Sequence, residues 1–179
     1  MERNIRLLYL HNFLSDFRFL TAFLVIYIAG ITGSYTSAMA VIAVETLTAA
    51  AMDIPMGILS DRLGRKLTIA LGSCCATLAM ACYGFATTSL LLFIGSVLFG
   101  LSECLFSGNN NALLYESLKQ SGREKQFHHY QGRISSMFQL GLGLSALAAS
   151  FLTVFGLRFI VLAGIVPQAL AVIVSLFFK

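Results

Sequence analysis

The chain has 179 residues, of which 58% are hydrophobic and 11% charged, with a mean hydropathy of +0.83. A soluble domain carries about 25% charged residues, so there are too few here to coat a water-soluble globule. The net charge of +4 is too small for a nucleic-acid footprint, and no nucleic acid is expected as a partner.

The lipid bilayer sets the ruler. A spanning helix takes about 20 apolar residues, so six spans use about 120 and leave about 59 for connections and tails. The first predicted span runs from about Leu7 to Ile28 and is closed by the stretch Gly30 to Ser37. Asp16 and Arg18 interrupt it and five more apolar runs follow, so it reads as a membrane helix rather than a cleaved signal peptide. The second span covers about 38–59 and ends in the charged block Asp61 to Lys66; the third covers about 67–85, followed by the polar turn Ala86 to Ser89. The fourth starts near Leu90 and continues to Leu114. After the longest polar segment, Tyr115 to Arg133, come the fifth span at about 134–155 and the sixth at about 159–178. Every backbone polar group in hydrocarbon must be satisfied within its own segment, and runs this long fit helices rather than barrel strands. The expectation is an all-α integral membrane protein, a single six-helix bundle over residues 1–179.

Ten of the twelve basic residues fall on one side of such a bundle: Arg3, Arg6, Arg62, Arg65, Lys66, Lys119, Arg123, Lys125, Arg133 and Lys179. Arg158 alone falls on the other side, and Arg18 lies inside the first span. This asymmetry marks the cytoplasmic side. It predicts both termini in the cytoplasm of a cell membrane, with a bacterial inner membrane as the setting. Cys74, Cys75, Cys82 and Cys104 lie in apolar runs without metal-ligand spacing and read as packing residues. The adjacent His128 and His129 diverge on a helix and offer no ligand set, so no metal is expected. No nucleophile or phosphate-loop constellation stands out, and neither enzymatic chemistry nor a cofactor is expected.

The strongest local signal is Gly57-Ile58-Leu59-Ser60-Asp61-Arg62-Leu63-Gly64-Arg65-Lys66, in the short connection between the second and third spans. Small Gly57 and Gly64 are expected to let two helix ends approach closely, with the Asp and the bases at headgroup level. The segment resembles the signature G-x-x-x-D-R-x-G-R-K between helices two and three of the major facilitator superfamily. Asp53-Ile54-Pro55-Met56-Gly57, Ser107-Gly108, Ala112 to Leu118 and Gly132-Arg133 are similar to further stretches of one branch of it. Two antiporter marks are absent: Ser96 stands at about the position of an arginine, and Gln139 to Ser145 contains no proline.

Ionisable groups at membrane depth cost about 2.5 to 3.5 kcal/mol each on insertion scales, so each needs a reason. At about 1.5 Å of rise per residue, Asp16 lies roughly 15 Å beyond Arg6, near the midplane. On a continuous helix Asp16 and Arg18, two apart, do not face each other, whereas Asn12 and Asp16 share a face. Glu103 lies deep in the fourth span and Glu45 in the outer third of the second. These residues read either as a solvated cavity for substrate or a proton, or as an ion pair that fixes helix packing. Charges of both signs allow a zwitterion, an anion or a sugar.

The resemblance implies one half, a 3+3 inverted repeat, of a twelve-helix transporter fold, acting in secondary transport by alternating access. Helices one and four would line the pathway, and Glu116 and Arg133 would join a cytoplasmic charge network. A six-helix bundle lacks an opposing wall, so a second bundle is required: a second copy of the chain or a missing C-terminal half. In a homodimer, pseudo-symmetry would place Asp61 against the partner's segment 132–135. The alternative class is a non-transporting membrane scaffold or regulatory subunit.

Overall fold

The computed structural model describes residues 2–178. Eight α-helices follow one another among them: α1 (Glu2–Ser15), α2 (Leu24–Thr32), α3 (Tyr35–Leu63), α4 (Arg65–Phe85), α5 (Ser89–Phe106), α6 (Asn109–Lys119), α7 (Phe127–Leu152) and α8 (Leu157–Leu176). The connections are short. Gly33 closes α2 in the left-handed conformation, and Ser34 caps α3 by accepting the Ser37 N–H on its side chain. Such caps satisfy the orphan backbone groups of helix ends.

Two apolar clusters hold the bundle, one toward each end. Ile5, Leu8, Ile69, Leu113, Leu114, Leu118, Ile134 and Phe178 form the cluster near the basic end. Leu20, Tyr27, Ile28, Val41, Met80, Tyr83, Leu92 and Val161 form the other. The central element is α4, packed against α5 on one side and α8 on the other, while α3 leans on α5 and α1 rests on α7 and α8. Large apolar side chains remain on the outside, among them Ile54 and Leu47 on α3 and Phe151 and Leu147 on α7. Exposed apolar surface on this scale suits a lipid or protein environment rather than water. Five segments are long and apolar enough to cross a bilayer: Tyr35–Leu63, Arg65–Phe85, Ser89–Lys119, Glu124–Phe155 and Leu157–Leu176.

Two expectations of continuity fail. The sequence reading draws the first span as one helix from Leu7 to Ile28, but the chain leaves the helix after Ser15 and resumes it at Leu24. The fourth span is interrupted at Ser107-Gly108, where Gly108 takes φ +73° and α6 starts anew. At the first break the freed carbonyls find partners one by one. The Ser15 carbonyl accepts from Gln168 Nε2 at 2.8 Å and from Arg18 Nε at 3.0 Å. The Asp16 carbonyl accepts the Arg18 N–H at 2.9 Å, and the Arg18 carbonyl accepts from Ser145 Oγ at 3.3 Å. Non-helical backbone inside a membrane protein persists only with such substitutes. Gly141 gives the break room on α7: a Cβ there would stand 2.8 Å from the Phe13 carbonyl oxygen and 3.3 Å from the Asp16 carbonyl carbon.

Candidate functional site: a polar cleft between two broken helices

Both breaks border one cleft of about 560 Å³. The first contributes Asn12, Ser15, Asp16 and Arg18; the second contributes Glu103, Phe106, Ser107, Gly108, Asn110 and Asn111. The far wall is the start of the fifth predicted span, through Ile134, Ser135, Phe138 and Gln139 on α7. Four of the five sequence-predicted cavity residues, Asn12, Asp16, Arg18 and Glu103, therefore meet in one place.

Arg18 organises the charges. Its Nη2 donates to Glu103 Oε1 at 2.9 Å and lies 3.4 Å from Asp16 Oδ1. The Phe99 ring lies under its guanidinium, 4.7 Å from Cζ to centroid. The sequence argument that residues two apart cannot pair does not hold, because the backbone between them is not helical. Side-chain exposure differs across the triad: 9% for Asp16, 21% for Arg18 and 43% for Glu103. The Glu103 carboxylate thus faces the open cleft, and Asp16 is tucked behind the guanidinium.

Asn12 donates through Nδ2 to the Leu8 carbonyl at 2.9 Å and accepts from Asn110 Nδ2 at 3.3 Å, which ties α1 to α6. Glu45, the fifth predicted cavity residue, does not line this cleft. It borders a smaller space of about 110 Å³ on the other side of Arg18, with Leu24, Tyr83 and Phe99. Arg18 is the residue the two spaces share.

The signature residues form a second polar assembly where α3 gives way to α4. Arg65 reaches Asp61 at 3.1 Å, Ser60 Oγ at 2.9 Å, Asn109 Oδ1 at 3.1 Å and Glu116 Oε1 at 3.6 Å. Ser60 Oγ also donates to Asn109 Oδ1. One guanidinium therefore binds the end of α3 to both ends of α6, while Asp61, Arg62 and Lys66 remain exposed. Of the two residues expected in a cytoplasmic charge network, Glu116 goes to Arg65, and Arg133 lies beside Tyr9, Ser136 and Met137. Close approach is also not what the two glycines supply. A Cβ on Gly57 or Gly64 would meet nothing within 4 Å, and Gly64 is instead required by its φ of +84°.

Sequence reasoning missed Gln168 and took Ser145 only as a small residue for close helix approach, yet these side chains hold the first break. Both are polar residues in apolar helices and almost fully buried, and polarity at membrane depth is the signal that marks them. His11, whose place in the sequence reads as a packing polar group near the inner interface, is fully buried, with Nε2 2.9 Å from Ser73 Oγ. The contact pins α1 to α4.

No curated protein matches this sequence. A family model described as Major Facilitator Superfamily matches residues 7–179. With nearly the whole length matched, the signature in place between α3 and α4, and a polar cleft inside an apolar helical bundle, the chain belongs to the Major Facilitator Superfamily, a family of membrane transporters.

Proposed function

We propose that this chain carries out secondary-active transport of a small solute by alternating access, as a six-helix bundle working against a second bundle. α1 and α2 together count as the first crossing, which brings the five segments of spanning length to six. The positive-inside asymmetry supports a cytoplasmic position for the basic end and both termini. The observation that carries the reading is the cleft itself, in which two interrupted helices direct Asp16, Arg18 and Glu103 into one polar space inside an apolar bundle. Transporters of this kind bind substrate near the midplane at discontinuous helices and rock one bundle against another around it.

The second bundle is a second copy of the chain or a C-terminal half. Asp61 is 69% exposed even while paired with Arg65, and Gly132 and Ser135 at the start of α7 are exposed as well. Both surfaces are free to meet a partner.

The test is flux in vesicles reconstituted with the purified chain, using labelled amines, sugars, amino acids and carboxylates, with and without a proton gradient. Saturable movement of one class is expected. If none of these classes moves under either condition, the transport reading fails. Cysteines placed at Asp61 and Ser135 are expected to crosslink between two copies. Crosslinks confined to one chain would exclude the homodimer.

A further inference from the structure

The acceptors and charges of the cleft point to the kind of solute that fits it. The ionisable residues that line it among the described residues are Asp16, Glu103 and Arg18. One guanidinium serves two carboxylates, so the lining carries a formal charge of −1. Across Arg18, Glu45 adds a third carboxylate without adding a base. Hydrogen bonding leans the same way. Arg18 spends Nε on the Ser15 carbonyl and Nη2 on the carboxylates. Asn12 and Asn110 direct amide N–H groups at protein oxygens. Phe106 and Phe138 supply aromatic surface from two walls of the cleft, and ring faces attract cations.

We propose that the cleft selects an organic cation rich in N–H donors, a protonated amine, over neutral and anionic solutes of the same shape. An amine placed beside Glu103 finds the more exposed carboxylate directly and restores charge balance in the lining. An anion would meet two carboxylates against a single guanidinium. This rests on the transport reading above and narrows it to one class of solute.

The experiment reads the potential of the cleft without needing flux. Ser135→Cys and, separately, Gln139→Cys place a thiol on the cleft wall in a chain whose four native cysteines are alanine. Each thiol is modified at low salt with a trimethylammonium methanethiosulfonate and with its sulfonate counterpart, and the rate ratio is divided by the same ratio on mercaptoethanol. For a unit charge about 8 Å away in a water-like dielectric, Coulomb's law gives a five- to sixfold effect on this ratio. The cleft is expected to favour the cationic reagent by about that factor. Asp16→Asn or Glu103→Gln alone should each bring the ratio near one, and the pair together should invert it. Tyramine is expected to slow the modification more than its neutral alcohol analogue tyrosol or its acid analogue 4-hydroxyphenylacetate.

A ratio at or below one in the parent chain overturns the proposal, as does equal or better protection by the alcohol or the acid. Either result leaves the transport reading standing if some solute still moves in vesicles. Absence of all flux with a cation-favouring ratio would instead sink transport and leave a cation-binding cleft.

Discussion

Arg18→Met is expected to abolish flux and to lower stability by about 2–3 kcal/mol, measured as thermal and denaturant unfolding in detergent. Breaking a buried ion pair by removing one partner costs about 3–5 kcal/mol, because the remaining charge is left uncompensated. The figure is reduced here because Glu103, with 43% of its side chain exposed, stays solvated when the guanidinium leaves. Asp16, 9% exposed, does not. The Arg18 guanidinium is also one of two donors to the Ser15 carbonyl, so its loss loosens the break from which the cleft is built. Adding Asp16→Asn should recover about 1–3 kcal/mol of that loss, the coupling expected of contacting groups in a double-mutant cycle. Flux should stay absent in the double variant. Additive losses would show that the two side chains are neighbours without being partners, and Arg18 would then be held in place chiefly by Glu103 and the Phe99 ring.

What composition and order reveal about this molecule is its solvent and its punctuation. An apolar composition, hydrophobic runs of spanning length and the basic bias of the connections require helices in a bilayer, and the charged block after Gly57 marks the family. Asp16, Arg18 and Glu103 stand out because a charge in an apolar run is costly wherever it lies. The breaks that bring them together are harder to read. Ser15 to Phe23 contains neither glycine nor proline, so local propensity gives no warning, and side chains distant in sequence hold the unwound backbone. Gln168 lies 153 positions from Ser15 and Ser145 lies 127 from Arg18. Gly141 on α7 leaves the space the break occupies. A break that depends on such distant contacts becomes visible only when those helices are placed together. The Ser107-Gly108 interruption is the opposite case, since its glycine is visible in the sequence and takes up the positive φ itself.

The two glycines of the signature are expected to respond to alanine with opposite signs. Gly64 sits at φ +84°, ψ 154° between α3 and α4, a conformation essentially reserved for glycine and costing other residues about 1–3 kcal/mol. Space is not the obstacle, since a Cβ there would touch nothing within 4 Å. Gly64→Ala must either bear that strain or rotate the turn, and rotation carries Arg65, the next residue, away from Ser60, Asn109 and Glu116. The expected result is a loss of about 1–3 kcal/mol in unfolding free energy. Gly57 lies inside α3, is not among the positive-φ glycines, is exposed, and also has open space at its Cβ. Gly57→Ala should therefore stabilise the single bundle by about 0.5–1 kcal/mol, the difference in helix propensity between the two residues. Equal effects of the two substitutions would contradict the assignment of Gly64 to backbone conformation. If Gly57→Ala makes the bundle more stable and also reduces flux, the helix face that carries it is one the second bundle approaches closely. Loss of flux in Gly64→Ala has a different origin, because it follows the Arg65 assembly within the chain and should be reproduced by Arg65→Gln, which leaves the turn glycine untouched.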